Sequence, residues 1–368
     1  MKMQYLSVLI FAMVIVGSAE AAEVYHKDGN TLDLYGTFNG MRYIFSDDDK
    51  NGDRSFIRYG FRGEAMLSNE LIGLGTWEQG AGLSYAESEG DNRTFTCLGF
   101  VGIKFGDAGS IDYGRNYGVL HDVNAWTDVM PEFGGNTTVT DNFFAGRANS
   151  MLTYRNTNFF GMVDGLNFAL QYQGKNNSKT NDKKGCSLQK GNGNGYGLSV
   201  TYDLSNSVSA GAAVSSSNRT LFQQSLDLVH NQGKKTKAYS LGLKYDTYNV
   251  YLAALYHDTQ NMTPFACFSS KNYGFAEKAH NLELVAQYQF NSGLRPSLGY
   301  IQSCIHGDQK GKRYDIKRYI ELGASYKFNK NMSTFVDYRI NLLSSNKLSC
   351  IAQKPANNIV ALGINYMF

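Results

Sequence analysis

From Thr31 to Phe368 the sequence keeps a period of two, with apolar and polar residues alternating segment after segment. Residues that alternate at this period stand on opposite faces of an extended strand. Near the start, Leu32, Leu34, Gly36 and Phe38 share one face, and Asp33, Tyr35, Thr37 and Asn39 the other. Tyr196, Leu198, Val200 and Tyr202 alternate with Gly197, Ser199 and Thr201. At the C-terminus Val360, Leu362, Ile364, Tyr366 and Phe368 alternate with Ala361, Gly363 and Asn365. Counting such segments predicts sixteen strands. Composition agrees: 4 prolines against 39 glycines and 25 tyrosines in 368 residues favour strands and tight turns over helices.

The connections alternate as well. Short turns at Ser68-Asn69-Glu70, Gly106-Asp107-Ala108, Asp246-Thr247-Tyr248 and Asn329-Lys330-Asn331 join pairs of strands. Long polar loops, such as Gly174 to Gly193 and Asn218 to Thr236, join the next pairs. Past the N-terminus no apolar stretch approaches the roughly 20 residues of a membrane helix, and mean hydropathy is −0.35. A transmembrane β-barrel escapes that test, because its lipid-facing and water-facing residues average out along each strand. A two-sheet sandwich also alternates, but its polar face does not gather Glu, Arg and Lys along strands of this length. Phe105, Tyr202, Tyr245, Phe290, Phe328 and Phe368 precede successive short turns or the chain end, as an interfacial girdle requires. These features predict an all-β fold, a sixteen-stranded antiparallel transmembrane barrel.

The first residues read as an export signal. Lys2 is the positive end, Tyr5 to Val16 the apolar stretch, and Ala19-Glu20-Ala21 a small-x-small cleavage site. Residues 1–21 are thus expected to be a signal peptide, and 22–368 the mature barrel. A net charge of +3, with Lys/Arg runs no longer than pairs such as Lys183-Lys184 and Lys234-Lys235, gives no basis for nucleic-acid binding. No nucleotide-loop, metal or haem motif occurs, so no cofactor is expected.

Many ordered stretches now carry a resemblance. They include Ala22-Glu23-Val24-Tyr25, Asp112-Tyr113-Gly114-Arg115-Asn116-Tyr117-Gly118, Pro131-Glu132-Phe133-Gly134-Gly135, Asn158-Phe159-Phe160-Gly161 and Gly293-Leu294-Arg295-Pro296-Ser297. The mature chain resembles the enterobacterial general porins, the osmoporin and phosphoporin group, over essentially its whole length. The resemblance implies a homotrimer in the outer membrane of a Gram-negative bacterium, in contact with outer-membrane lipid and lipopolysaccharide. It also implies a water-filled pore for passive diffusion of small hydrophilic solutes and ions, and makes Phe368 an assembly signal.

A barrel of sixteen strands leaves an aqueous channel, so selectivity needs a charged constriction. In the family the third loop folds inward; here that is about residues 118–146, which carry Asp122, Asp128, Glu132 and Asp141. The resemblance assigns Asp128 and Glu132 to the acidic side of the constriction; the loop glycines Gly134 and Gly135 permit the sharp turn that presents the carboxylate. It assigns Arg58 and Arg147 to the basic side, with Arg62 as neighbour. Without the resemblance, the loop acids would read as ordinary solvated charges.

The sequence departs from its relatives at the constriction and in its cysteines. Thr37 and Cys97 occupy lumen-parity positions where the family usually has Lys and Arg, so two cations are missing while both loop acids remain. The expectation is a weak cation preference. Loop lysines Lys179, Lys183, Lys184 and Lys190 pull the other way from the pore mouth, where salt screens them within about 10 Å. Cys186, Cys267, Cys304 and Cys350 fall in or beside long loops, and an oxidising export route opens disulfides to them in any of three pairings. Free thiols are the equal alternative, and without C-x-x-C spacing zinc is not expected. Arg115 has outward parity in a strand that the resemblance places at the trimer contact; facing lipid it would be costly, and Glu87, in the second loop, which in the family reaches over to a neighbouring subunit, is its expected partner there.

Two other functions fit a barrel. An outer-membrane hydrolase needs converging Asp/His or His/Ser/Asn groups, whereas the six histidines are scattered and only His121 beside Asp122 resembles a dyad. A surface adhesin or phage receptor would use the long loops and is compatible with a pore. Diffusion is the favoured reading, without enzymatic activity.

Overall fold

The structure, a computed structural model, describes residues 22–45, 51–88, 94–176, 190–225, 233–267, 272–306, 313–343 and 358–368. The expected signal peptide, Cys186, Cys350, Lys179, Lys183 and Lys184 lie outside the described residues. Among the described residues sixteen long strands make the wall. They are β1 (Asn30–Phe45), β2 (Phe56–Met66), β3 (Ile72–Gly82), β4 (Thr94–Lys104), β5 (Ser110–Tyr117), β6 (Arg147–Asn156), β7 (Leu166–Gln173) and β8 (Gly195–Asp203). The second half comprises β9 (Val208–Asn218), β10 (Lys235–Thr247), β11 (Val250–Gln260), β12 (Lys278–Tyr288), β13 (Leu294–His306), β14 (Arg313–Lys327), β15 (Met332–Asn341) and β16 (Ile359–Met367).

Each strand pairs antiparallel with its sequence neighbours, and β1 closes the circle by pairing with both β2 and β16. Its pairing with β2 spans Thr31–Asn39, and with β16 Thr37–Phe45. Below that height a short strand, Ala22–Lys27, pairs with β1 from Asn30 to Leu34. The short strand and β16 therefore share one stave of the wall. Phe368 completes it: its N–H donates to the Gly36 carbonyl at 3.0 Å, and the Gly36 N–H donates back at 2.9 Å.

The wall is inside-out relative to a water-soluble fold. Val101, Leu241, Leu243 and Leu298 point outward and are more than half exposed, while Gln171, Ser240, Glu283, Glu321 and Asp337 point inward and are buried. A continuous apolar exterior of this extent matches a lipid-facing band. No described helix is long and apolar enough to cross a membrane, so the crossing is made by strands. The expected girdle residues Tyr202, Tyr245, Phe290 and Phe328 are exposed.

Short turns gather at one end of the barrel, at 67–71 and 328–331 among others, as the alternation of connections predicts. One boundary needs correction: β10 runs through Thr247 and the turn falls on Tyr248-Asn249, where Tyr248 adopts φ 38°. Asp246 and Thr247, read as turn residues, continue the ladder opposite Tyr251 and Val250, and the hairpin closes on Tyr248 as expected. At the opposite end a two-stranded hairpin, Pro264–Cys267 with Asn272–Phe275, forms a sheet of its own and buries Phe275 against Phe143 of the segment between β5 and β6.

Candidate functional site

The segment between Tyr117 and Arg147 lies inside the barrel. Its ends are pinched together, with the Gly118 N–H donating to the Gly146 carbonyl at 3.0 Å. Apolar residues fix its course. Val119, Leu120, Val123, Phe143 and Phe144 are buried with Ala148, Met151, Ala169, Ala213, Ala238 and Leu255 of the wall. Trp126, Val129 and Met130 pack on Tyr251, Ala253 and Val285, and Phe133 on Met41, Phe335 and Ala361. The wall makes room by being small there. A Cβ on Gly197 would come within 2.4 Å of Val119, one on Gly211 within 2.7 Å of Trp126, and one on Gly242 within 2.7 Å of Val123.

Polar anchors complete the seat. The Tyr251 hydroxyl donates to the Trp126 carbonyl at 2.6 Å, and Gln287 Nε2 to the Val129 carbonyl at 2.7 Å. The N–H groups of Glu132 and Phe133 donate to the Asp337 carboxylate at 2.9 and 3.2 Å. Lys317 donates to Asn136. Buried backbone groups of an inward loop need such partners, and the wall strands supply them.

The two expected acidic residues sit on this loop. Asp128 accepts from the Thr138 hydroxyl at 2.9 Å. Gly135 has φ +69°, and a Cβ there would stand 2.1 Å from Asp128 Oδ1. Glycine is thus required twice over, by conformation and by space. Glu132 accepts from the Tyr43 hydroxyl of β1. Burial pushes both loop carboxyls up, Glu132 to about 7. The opposing pull on Asp128 comes from the Thr138 hydroxyl and from the charges of Arg147 and Arg58, which puts the loop within electrostatic reach of the basic wall.

That wall holds a residue the sequence reading did not single out. Glu78 of β3 is 4% exposed, with Arg58 Nε and Arg147 Nη1 each 3.6 Å from its Oε1. The Tyr35 hydroxyl donates to Glu78 at 3.2 Å, and the Arg62 guanidinium covers the Tyr35 ring at 4.4 Å. All three expected arginines therefore converge on one carboxylate, Arg62 through Tyr35. Arg58 stands opposite Gly80 and Glu78 opposite Gly60, a diagonal pair on one face. The glycine-rich β3, Ile72 to Gly82, has little alternation to read. The available signal was a lone Glu flanked by strands that carry inward arginines.

Thr37 lies directly across from Arg58. Cys97 is buried at 1% exposure, on the extra residue of a bulge where Glu78 and Gln79 of β3 face Leu98 and Thr96 of β4. Its thiol neighbours Glu78, Arg147 and Arg58.

The other expected residues are placed as follows. Arg115 keeps the parity of Tyr113 in the unbroken ladder to β4, where it faces Gly99, and the register shift between Gly114 and Asn116 lies on the β6 side. Its guanidinium is held within the chain, 2.6 Å from Asp141 and 2.9 Å from Asn149. Glu87 is exposed in the second loop. Asp122 is bound by Arg155 at 3.0 and 2.9 Å and by the Ser199 hydroxyl at 2.6 Å. The His121 ring lies instead against Tyr117, 4.1 Å between centroids. Cys304 is a free thiol; Cys267 lies in the outer hairpin, its side chain outside the described residues.

Comparison with known proteins agrees with this geometry. A family model described as Gram-negative porin matches residues 27–368. Outer membrane protein F of Serratia marcescens is 49% identical, and outer membrane porin C of Salmonella typhimurium 48% identical, each over the full length of both chains. Among solved structures, that of Salmonella typhi OmpF in complex with daunomycin superposes with a TM-score of 0.84 at 42% identity, covering 94% of this chain and 99% of the other.

Proposed function

The chain belongs to the Gram-negative porin family, a diffusion channel of the outer membrane and not an enzyme, and from that premise we propose how it selects among solutes. The loop acids Asp128 and Glu132 form one side of a constriction and Arg58, Arg62 and Arg147 the other. Glu78 offsets part of the basic side, while Thr37 and Cys97 add no charge to it. The pore is therefore weakly cation-preferring. The observation that carries this reading is the 3.6 Å contact of Glu78 with both Arg58 and Arg147. A charge in a narrow, low-dielectric passage acts on each ion that passes, whereas mouth charges are screened over about 10 Å in 0.1 M salt.

Three copies are proposed to assemble as a trimer in lipid and lipopolysaccharide. Glu87, on the exposed second loop, belongs to the contact face, and Arg115 lies at its base with Asp141 as counter-charge. Phe368, seated on Gly36, is proposed as the assembly signal, and residues 1–21 as the cleaved signal peptide.

The test is the reversal potential of purified protein in a planar bilayer under a potassium chloride gradient. A sign that reports potassium as the more permeant ion supports the reading. Chloride preference would leave a porin but transfer control to the arginines and the loop lysines. Absence of any conductance from folded protein would refute an open pore.

A further inference from the structure

On the outer face of the barrel, near its long-loop end, two imidazoles meet edge to edge. His280 of β12 and His306 of β13 have their Nε2 atoms 3.1 Å apart, with ring centroids 5.0 Å apart. We propose that His280 and His306 are the protein ligands of a site for a divalent transition-metal ion, Cu2+ or Zn2+.

The register explains the meeting. His280 stands directly across from Cys304, so His306, two residues on, is its diagonal neighbour on the same face. Asp258 of β11 stands directly across from His280 on the other side. Its carboxylate lies 2.8 Å from His280 Nδ1, and the Tyr256 hydroxyl oxygen 2.9 Å from the same atom. With Nδ1–H donating to Asp258, His280 presents a bare Nε2 to His306. This is the carboxylate–imidazole arrangement that orients a metal ligand and makes it more basic.

In its Nε2–H tautomer His306 fills the gap with a hydrogen bond; in its Nδ1–H tautomer two lone pairs face each other, and a cation between the two nitrogens satisfies both. Metal–nitrogen bonds of about 2.0–2.1 Å at a tetrahedral angle place the two nitrogens roughly 3.3 Å apart, so a few tenths of an ångström of side-chain movement admits the ion. Among the described residues no group of three or more His, Cys, Asp or Glu is arranged around one metal position, so water fills the remaining coordination sites. The surroundings disfavour hard cations: Lys278 is 3.9 Å from Asp258, and Arg313 stands across from His306. A pair of nitrogens without a free carboxylate selects by ligand softness, with Cu2+ above Zn2+ in affinity.

The experiment titrates Cu2+ and Zn2+ into purified full-length protein in detergent, comparing wild type with His280→Gln, His306→Gln and Asp258→Asn. The cysteines are common to all four, and barrel integrity is read from heat-dependent electrophoretic migration. The expected result is one more equivalent of metal per chain in wild type than in either histidine variant. Electron paramagnetic resonance of the Cu2+ form should show coupling to two imidazole nitrogens, lost in both histidine variants. Asp258→Asn should keep the stoichiometry and bind several-fold more weakly. If folded histidine variants bind as much metal as wild type, or wild-type Cu2+ shows no imidazole coupling, the gap holds a shared proton and the proposal fails.

Discussion

The buried carboxylate of Glu78 lies 3.6 Å from the guanidinium of Arg147, so the basic side of the pore is answered from within its own wall. Arg58 shares the same oxygen at the same distance. Removing that carboxylate leaves two guanidinium groups without their common counter-charge in a low-dielectric passage. Glu78→Gln should therefore shift the reversal potential toward chloride, with a larger change in dilute than in concentrated salt. An unchanged reversal potential at low salt would show that Glu78 serves packing alone.

Cys97 offers the reverse experiment. It occupies the extra residue of a bulge beside Glu78, Arg58 and Arg147. Cys97→Arg adds a cation where the carboxylate already has two. The cation preference should fall, and single-channel conductance should fall with it, because the longer side chain takes up part of the passage. Thr37→Lys, directly across from Arg58, should act in the same direction. If neither substitution moves the selectivity, the weak basic side is not what sets it.

The strand count and the inside-out polarity were legible because a period of two survives over the whole chain, and burial of one face enforces it. The acids Asp128 and Glu132 and the arginines Arg58, Arg62 and Arg147 came from the resemblance, and the structure puts the arginines around one centre. Glu78 was illegible for a physical reason: four of the eleven residues of its strand are glycine, which blurs the alternation, and the pairing that brings it diagonal to Arg58 depends on register. For Arg115 the parity was legible, but its counter-charge Asp141, 26 residues on in the inward loop, was not. The seat of the loop had a readable trace, Gly197, Gly211 and Ala213 on lumen parity, but small residues do not say what will lie against them.

Acid should weaken the selectivity in a defined interval. Glu132 belongs to the inward loop and not to a spanning strand, and burial pushes its carboxyl up to about 7. Repulsion by Asp337 and Asp128 adds to the rise, while the Tyr43 hydroxyl opposes it. A carboxyl is charged above its pKa and neutral below it. The cation preference should thus decline as pH falls from about 8.5 to about 5.5, an interval in which ordinary exposed carboxylates stay charged. Asp128, also raised by burial, should lose its charge at a higher pH than an ordinary carboxyl. Reversal potentials measured across this range check the sign, and Glu132→Gln should abolish the step around pH 7 while lowering the preference at every pH above it.

The seat of the loop should be as important to conductance as its charges. Gly211 faces Trp126, and a Cβ there would lie 2.7 Å from the indole and 3.0 Å from Val123. Gly211→Val forces two bulky groups into that space, a small-to-large change of a kind that costs about 1–3 kcal/mol in a packed core. The wall can bear this, since its own hydrogen-bond ladder to β10 does not depend on the side chain at 211. The loop cannot, because Trp126 and Val123 lie on the segment that leads to Asp128. The expected outcome is a barrel that still migrates as folded, with altered unitary conductance and a blunted response to Glu132→Gln. If the Gly211→Val channel has wild-type conductance and the same response, the loop is held by its polar anchors to Asp337, Tyr251 and Gln287, and the packing against Gly211 is dispensable.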